Sequence, residues 1–312
     1  MKKASCARNG HLPKSESTRR EKAPETQTNQ IARLRSAWQS FRVKSPAYRI
    51  AQVRSLLRIF KSYGNPWLML WLRLGWLRIK YFPFAIRSVH GNFTMLGRPA
   101  TQSMADQFTL QEVFLREDYK DILPLLPARP LRVVDVGANI GAFTVWLKSR
   151  HELAEVFCFE PEQSSRRLLR ANLALNDCEA HVLAEALGGT SRTTSITPNL
   201  DHPQATNIYR RQENRADAQT IRVVALREWL AATPGDFDLL KLDCECAEWE
   251  IIASATREDV RRFKVVVIEV HGDMRETPQP VSAFARLMEE RGFETVRWDN
   301  VAHGLYIGRF VG

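Results

Sequence analysis

The 312-residue sequence has no long apolar run, no Cys-x-x-Cys pair and few acidic residues near its beginning. Its tryptophan-rich run at 66–72 has 7 apolar residues, whereas a membrane-spanning helix needs about 20. The five cysteines are an odd number without a Cys-x-x-Cys pair, and no signal peptide with an apolar central region precedes the domain. These absences exclude a disulfide-stapled scaffold and predict a reducing, cytoplasmic setting.

Acidic residues are scarce only in the first 61 residues, which contain 15 Lys/Arg and 3 Asp/Glu and carry a formal charge of +12. The other 251 residues contain 30 Lys/Arg and 32 Asp/Glu, a charge of −2. The basic character therefore belongs to an N-terminal arm, and the rest of the chain offers no electrostatic track for nucleic acid. Such an arm can bind an anionic membrane surface, and nucleic acid is the less favoured partner.

The pattern along the chain predicts three zones. Residues 1–30 contain few large apolar side chains and are expected to form a disordered basic tail. Residues 31–86 are expected to form an amphipathic, tryptophan-rich helical extension, because apolar residues recur every three or four positions on either side of Ser45-Pro46. Residues 87–312 form the third zone, in which strand and helix patterns alternate from about residue 131.

The tryptophan-rich stretch 66–86 admits three interpretations. It packs against the rest of the chain or a sister subunit, it inserts as an amphipathic helix into a membrane interface, or it spans the membrane. The second interpretation adds a peripheral membrane location to the cytoplasmic one. No oligomeric state follows from the pattern.

The segment 132–144, RVVDVGANIGAFT, predicts a buried parallel strand, a glycine turn and a helix. Its valines suit a strand that is covered on both faces, while Gly137 and Gly141 lack side chains that would block close backbone approach to a ligand. A cofactor is therefore expected at this turn. NAD is disfavoured, because Asn139 stands where the dinucleotide fingerprint has its second glycine.

An acidic residue ends the next strand-like run. Glu160 follows Gly141 by 19 positions and closes the run 155–160. A carboxylate at this place can accept hydrogen bonds from two ribose hydroxyls.

With these features the chain resembles the S-adenosylmethionine-dependent methyltransferases of the FkbM type. Further blocks follow in the family's order over about residues 110–312: FEPE at 159–162, NLALN at 172–176, KLDCE at 241–245 with Glu248, and VVVIE at 265–269. The resemblance implies an enzyme that uses S-adenosylmethionine and needs neither a covalent nucleophile nor a tightly bound metal.

The resemblance also implies an α/β fold of the Rossmann-like class I methyltransferase type. This fold has a seven-stranded, mostly parallel sheet with an antiparallel last strand, here joined to the helical N-terminal extension. The strands are expected near 131–136, 155–160, 180–185, 238–243, 264–270, 293–298 and 304–310. The last two are joined by a short polar loop, which favours antiparallel pairing.

Ligands of such sheets bind beyond the carboxyl ends of the strands. The predicted cofactor-binding residues are accordingly Asp135, Gly137, Asn139, Gly141, Glu160, Glu185 and Ala186. Asp135 either fixes the glycine turn through backbone amides or contacts the ammonium group of the cofactor, and Asn139 either shapes the turn or reaches the cofactor carboxylate. Glu185 either edges the adenine pocket or is an exposed carboxylate at a strand end.

The predicted catalytic residues follow strands four and five. Lys241 and Asp243 lie two apart and so share one face of a strand. They form a structural ion pair, or Asp243 orients or deprotonates the acceptor while Lys241 and Glu245 keep the pocket polar. His271 is an alternative base, since imidazole titrates near neutrality, although a loop histidine can also be incidental.

Two positions depart from the family pattern. Cys246 stands where the family has a glycine, which puts the local backbone in doubt, and Arg227 replaces an aspartate, which puts the substrate preference in doubt. Cys244 and Cys246 lack a second pair of ligands and are expected to be buried thiols rather than a metal site. The polar segment 187–222, which contains Asn199, His202, Asn207 and Arg210, is either an insert that covers the acceptor or a solvated loop.

The sequence as a whole predicts an S-adenosylmethionine-dependent O-methyltransferase. Its acceptor is expected to be a hydroxyl of a sugar, a glycolipid or a secondary metabolite, that is, a small molecule or a glycan. Two rival functions remain: a catalytically silent binding or scaffold protein of the same fold, and a nucleic-acid or protein methyltransferase that is guided by the basic arm.

Overall fold

The structure is a computed structural model that describes residues 61–73, 79, 81–98, 105–198 and 217–312. These residues belong to one compact unit, 57–312. The predicted disordered tail and the two basic amphipathic helices before residue 61 lie outside the described residues. So do Asn199, His202, Asn207 and Arg210 of the polar segment.

Strands and helices alternate through most of this unit. In chain order the strands are β1 Phe82–Ser88, β2 Gly91–Gly97, β3 Leu131–Val136, β4 Leu153–Phe159, β5 His181–Leu183, β6 Ala186–Gly188, β7 Arg192–Ile196, β8 Gln219–Ala225, β9 Phe237–Leu242, β10 Phe263–Val270, β11 Phe293–Trp298 and β12 Gly304–Phe310. The α-helices are α1 Pro66–Arg73, α2 Ala105–Leu110, α3 Ala142–Lys148, α4 Gln163–Leu175, α5 Leu226–Ala232, α6 Glu248–Ser254, α7 Arg257–Val260 and α8 Phe284–Glu290. A π-helical segment, Gln111–Arg116, follows α2, and short 3-10 helices span Lys120–Leu125 and Val281–Ala283.

The central sheet has seven strands in the order β11-β12-β10-β9-β3-β4-β5. The five strands from β10 to β5 are parallel, and β12 runs antiparallel to both β10 and β11. The interior strands are apolar on both faces, as β9 illustrates with all six residues buried, because helices cover both sides of a parallel sheet. The predicted Rossmann-like fold, with its antiparallel last strand, is confirmed.

A second sheet lies where the sequence analysis expected an insert or a loop. Strand β8 pairs in parallel with β6 and antiparallel with β7. The two longer strands alternate exposed and buried residues, but their buried positions are few and flanked by Thr, Arg and Gln. The polar composition therefore concealed the period of two that marks a strand with one solvated face.

The prediction that the helical extension continues to residue 86 was wrong, because residues 82–86 belong to strand β1. Phe82, Phe84 and Ile86 are fully buried at alternate positions, which is a strand period that follows directly on an apolar helical run. The predicted domain boundary at 86/87 therefore cuts through the β1–β2 hairpin.

The hairpin is pinned to the rest of the unit by the NLALN block of helix α4. The Asn172 amide accepts from the Leu96 backbone N–H (2.6 Å) and donates to the Leu96 and Ile140 carbonyls (2.9 and 2.8 Å). The Asn176 amide donates to the Thr94 carbonyl (3.0 Å). Two asparagines thus satisfy edge groups of β2 that would otherwise be lost to burial.

Helix α1 is the described helical part of the tryptophan-rich stretch. Met69 is buried, whereas Trp67 and Trp71 are exposed. Within the described ranges, no helix is both long enough and apolar enough to cross a bilayer.

Candidate active site

A cleft opens at the carboxyl ends of β3, β4, β9 and β10. Its empty volume is about 1110 Å³, including the part that is open to solvent. Seven predicted site residues line it, namely Gly137, Asn139, Glu160, Ala186, Lys241, Asp243 and Glu245, and four do not, namely Asp135, Gly141, Glu185 and His271. The parallel strands bring the first set together because all of them end at this edge of the sheet.

The glycine turn after β3 joins three strand ends. Gly137 has φ +74°, and a Cβ at this position would lie 1.8 Å from the carbonyl oxygen of Asp243. The backbone N–H groups of Gly137 and Ala138 both donate to the Phe159 carbonyl at 3.0 Å. The floor of the cleft is therefore made of backbone in direct contact with backbone, which only glycine permits at position 137.

Glu160 is held at the end of β4 by the same turn. Its carboxylate accepts from the backbone N–H groups of Asn139 and Glu162, both at 2.8 Å. Burial raises the pKa of Glu160 to about 7, although these two hydrogen bonds oppose the shift. Asn139 itself has φ +48°, so its position in the turn is a backbone role as well as a place on the wall of the cleft.

Glu162 fixes the next part of the wall by capping helix α4. Its side chain accepts from the backbone N–H groups of Ser164 and Ser165 (2.8 and 2.6 Å) and from the Gln219 amide (3.0 Å). Burial opposes ionisation, but these hydrogen bonds outweigh it and lower the pKa of Glu162 to about 2. The carboxylate is therefore ionised whenever the protein is folded near neutral pH.

Lys241 connects two carboxylates below the cleft. Its Nζ atom lies 3.3 Å from a carboxylate oxygen of Asp135 and 3.3 Å from one of Asp243, and it donates to the Gly137 carbonyl at 2.9 Å. Burial favours the neutral amine, but the two aspartates hold the pKa of Lys241 well above its ordinary value. The two aspartates differ in access, since the side chain of Asp135 is fully buried and that of Asp243 is 27% exposed at the cleft.

Three predicted cofactor contacts have other surroundings. The Asp135 carboxylate accepts from the Thr144 hydroxyl (2.7 Å) below the turn, so neither of its two predicted roles describes it. Gly141 has φ +85° and packs against Leu169, whose Cδ1 would lie 2.8 Å from an added Cβ. Glu185 lies in a separate small depression beside Arg166. These three residues lie outside the cleft because a shift of one or two residues along the chain changes what a side chain contacts, and the sequence pattern does not fix positions more finely than that.

His271, predicted as an alternative base, does not line the cleft and is surrounded by carboxylates. Its Nδ1 atom lies 3.1 Å from a carboxylate oxygen of Glu248, and its Nε2 atom lies 3.6 and 3.8 Å from Glu245 and Glu269. Burial favours the neutral ring, but the Glu248 hydrogen bond and the surrounding carboxylates raise the pKa of His271 to about 10. The imidazole is therefore held protonated near neutral pH, so Nε2 offers a lone pair, to a proton or to a metal ion, only after it has lost its own proton.

One end of the cleft is strongly acidic. The carboxylates of Glu112, Asp243, Glu245 and Glu269 line it. Burial and the charge of Asp243 raise the pKa of Glu269 to about 8, and burial also raises the pKa of Glu112. Crowded carboxylates of this kind favour a cation, or a group that donates hydrogen bonds.

Four further residues that no sequence motif predicted also line the cleft. Thr109, Glu112, Val113 and Tyr119 reach the cleft from α2, the π-helical segment and the turn after it. The Tyr119 ring packs edge-on against Phe143 at a centroid distance of 5.0 Å. No local motif marks these residues, although π-helical segments are frequent at functional sites.

The two departures from the family pattern have different outcomes. Cys246 has φ +84° and Glu245 has φ +55°, so the turn after β9 adopts the left-handed conformation that a glycine would favour. Arg227 lies on the surface, 59% exposed, and its Nε donates to Asp259 at 3.1 Å. The Arg227 side chain is therefore paired on the surface and does not line the cleft.

Comparisons with known proteins agree with this arrangement. The family model described as the methyltransferase FkbM domain matches residues 135–295, just over half of the chain. The chain is 29% identical over 229 residues to methyltransferase sdnD of Sordaria araneosa, covering 64% of this chain and 86% of that protein. It is 27% identical over 237 residues to the AMB antimetabolite synthetase AmbE of Pseudomonas aeruginosa, covering 64% of this chain and 11% of the synthetase.

Among solved structures, the chain is similar to a methyltransferase FkbM from Methylobacillus flagellatus KT. The two share 17% sequence identity with a TM-score of 0.39, over 57% of this chain and 43% of that chain.

Proposed function

The chain belongs to the FkbM methyltransferase family and is a methyltransferase, and from this membership we propose that its cleft binds S-adenosylmethionine and methylates a hydroxyl group. The acceptor is a sugar, a glycolipid or a secondary metabolite. The observation that supports the proposal most strongly is that two carboxylates with different surroundings line one cleft. Glu160 is held by backbone amides at one part of the cleft, and an ion-paired, solvent-accessible Asp243 lies at another.

The lining of the cleft fits the three parts of this cofactor. The Glu160 carboxylate retains lone pairs for the two ribose hydroxyls after it has accepted the Asn139 and Glu162 amides. Apolar side chains of the lining, including Phe159, Leu187 and Ile196, suit the adenine ring. The acidic end suits a sulfonium cation, which a neutral pocket would not compensate.

We propose that Asp243 takes the proton from the hydroxyl group of the acceptor. S-adenosylmethionine supplies a methyl group on a sulfur leaving group. The acceptor oxygen forms a bond to that carbon, the carbon–sulfur bond breaks with its electron pair remaining on sulfur, and the hydroxyl proton passes to Asp243. Lys241 keeps Asp243 in place, because it is itself anchored by Asp135 and by the carbonyl of Gly137.

The acidic end also narrows the acceptor class. Three carboxylates lie near Asp243, and a further negative charge on the acceptor would raise the cost of ionising them. Hydroxyl groups, in contrast, donate hydrogen bonds to carboxylates. The described part of the cleft therefore favours a neutral or cationic, polyhydroxylated acceptor.

Calorimetric titration of the full chain with S-adenosylhomocysteine and with NAD tests the cofactor assignment. Saturable binding of the former is expected. Glu160→Gln should weaken it by about 1.5–3 kcal/mol, the range for losing a charge-assisted hydrogen bond. Glu185→Gln is the matched control, because it removes a carboxylate outside the cleft and should change little. Preference for NAD, or equal effects of both substitutions, would contradict the proposal.

A further inference from the structure

Three side chains with metal-ligating atoms converge where β10 ends beside the loop between β11 and β12. The ligand atoms of Glu269, His271 and His303 all lie within 4.8 Å of one another. A carboxylate oxygen of Glu269 lies 3.8 Å from His271 Nε2 and 4.0 Å from His303 Nδ1. One carboxylate and one imidazole from the end of β10 thus meet a second imidazole from the loop between β11 and β12.

A second observation concerns how His271 is oriented. Its Nδ1 is engaged by Glu248 at 3.1 Å, and Glu248 is fully buried and also accepts from the Cys244 backbone N–H at 2.8 Å. The ring is therefore fixed with Nε2 toward Glu269. Histidines that bind metals almost always donate their other ring N–H to a carboxylate or carbonyl in this manner.

The separations within the cluster match an ion better than they match hydrogen bonds. Distances of 3.8 and 4.0 Å exceed the range of N–H···O hydrogen bonds. Two ligands at about 2.1 Å from a shared ion lie at most about 4.2 Å apart. Because the ligand atoms lie up to 4.8 Å apart, the cluster must contract to hold an ion. The His303 side chain is 68% exposed and packs edge-on against His271 at a centroid distance of 4.8 Å, so its movement is the one that would close the site.

We propose that Glu269, His271 and His303 form a binding site for a divalent first-row transition-metal ion, with Glu245 beside it. Nitrogen and oxygen ligands of this kind suit zinc, cobalt, nickel or manganese. The Glu245 carboxylate lies 3.6 Å from His271 Nε2, beside the three ligands rather than among them. Three ligands from the protein leave coordination positions open.

The position of the site gives the ion a role in the reaction. Glu269 and Glu245 line the acidic end of the cleft, so an open coordination position would face the acceptor. An acceptor oxygen bound there would lose its proton more readily, because a divalent ion stabilises the alkoxide. This role rests on the proposed function, whereas metal binding itself does not.

The test is a titration of the full chain with Co²⁺, followed by its visible absorption and by calorimetry. We expect one ion per chain and absorption bands of a nitrogen- and oxygen-ligated ion. His303→Asn should weaken binding by about 10-fold or more, since it removes one of three ligands, and asparagine tolerates the φ of +58° at this position. His181→Asn is the matched control, because His181 is 61% exposed on β5 at the far edge of the sheet.

Several outcomes would overturn the metal site. They are the absence of saturable Co²⁺ binding, equal binding by the wild type and His303→Asn, and equal losses in His303→Asn and His181→Asn. Glu269→Gln provides a second variant, on the strand rather than the loop, and should also weaken binding. S-adenosylhomocysteine titration of the same samples reports on the proposed cofactor site separately, so failure of one assignment is distinguishable from failure of the other.

Discussion

Substitution of Gly137 by alanine tests whether the cleft is built on direct backbone contact between β3 and β9. The added Cβ would lie 1.8 Å from the carbonyl oxygen of Asp243 and 2.8 Å from its carbonyl carbon. No rotation of a side chain relieves this clash, because the contacting atoms are backbone. The ends of β3 and β9 must separate, and both carry residues of the proposed site.

The expected loss of stability has two components. The left-handed conformation at φ +74° costs about 1–2 kcal/mol for an L-residue with a Cβ. Overpacking of a tight contact adds about 1–3 kcal/mol. The free energy of unfolding should therefore fall by about 2–5 kcal/mol in total, a large part of the stability of an ordinary domain.

Two other glycines separate these components. Gly235 has φ +88°, but an added Cβ would meet the terminal guanidinium of Arg132 at 2.6 Å rather than backbone. That side-chain end can shift at the expense of its exposed hydrogen bonds to the Asp236 and Pro234 carbonyls. Gly272 has no atom within 4 Å of an added Cβ and lacks a positive φ. Gly235→Ala should therefore show mainly the conformational cost, and Gly272→Ala should be close to wild type.

Urea unfolding of the three variants and the wild type measures these differences, and titration with S-adenosylhomocysteine reports on the cleft. Gly137→Ala should lose both stability and ligand affinity, whereas Gly235→Ala, at the opposite ends of the strands, should keep its affinity. A stability of Gly137→Ala within about 0.5 kcal/mol of that of Gly235→Ala, which is within the ordinary range of a neutral substitution, would refute the argument from backbone contact.

Four further predictions concern the site, its turn and the basic arm. The pKa of Glu160 is raised to about 7, so the neutral acid accumulates below that pH. The affinity for S-adenosylhomocysteine, measured by calorimetry, should therefore fall from pH 8 to pH 6. Glu160→Gln should flatten this pH profile. Asp243→Asn should lower turnover by about 10²–10⁴, the range for a general base, while ligand affinity stays within a few fold; equal turnover would make Asp243 structural. Cys246→Gly should raise the free energy of unfolding in urea by about 0.5–1 kcal/mol, because relief of the left-handed conformation exceeds the entropy cost of glycine; a destabilised variant would contradict this. Full-length protein should sediment with phosphatidylserine vesicles but not with neutral ones, because the basic arm carries the positive excess. A protein of residues 57–312 should sediment with neither. Equal sedimentation of both proteins would show that the arm does not bind the vesicles.

The strand ends of the site were predictable because they depend on local patterns. A valine-rich run followed by glycine indicates a buried strand and its turn, and parallel strands end at one edge of a sheet. Gly137, Glu160 and Asp243 follow from these two rules alone. The same rules misplaced Asp135, which stands one residue before the end of β3 and is fully buried between Thr144 and Lys241. Its register partner Lys241 is long enough to reach the cleft, whereas the shorter Asp135 side chain is not.

The cleft residues that precede β3 could not be predicted from local sequence patterns. Glu112 and Tyr119 reach the cleft from an irregular segment that precedes β3. The contact of Tyr119 with Phe143 and the place of Glu112 at the acidic end depend on how that segment packs. The hairpin β1–β2 escaped prediction for a related reason: its strand period begins within a run of apolar residues that also suits a helix.

The acidic end shows most clearly why residue types do not fix chemistry. Asp243, Glu245, Glu248 and Glu269 surround His271, and a histidine with one such neighbour would still titrate near neutrality and could serve as a base. Glu248 is 23 positions from His271 in sequence, and only the packing of α6 against β10 brings its carboxylate to Nδ1. That single contact commits one ring nitrogen and turns the other toward Glu269. Together with the other carboxylates it raises the pKa of His271 to about 10, which favours Asp243 as the proposed acceptor of the proton, and it directs Nε2 toward Glu269, where Nε2 could bind an ion once it is deprotonated.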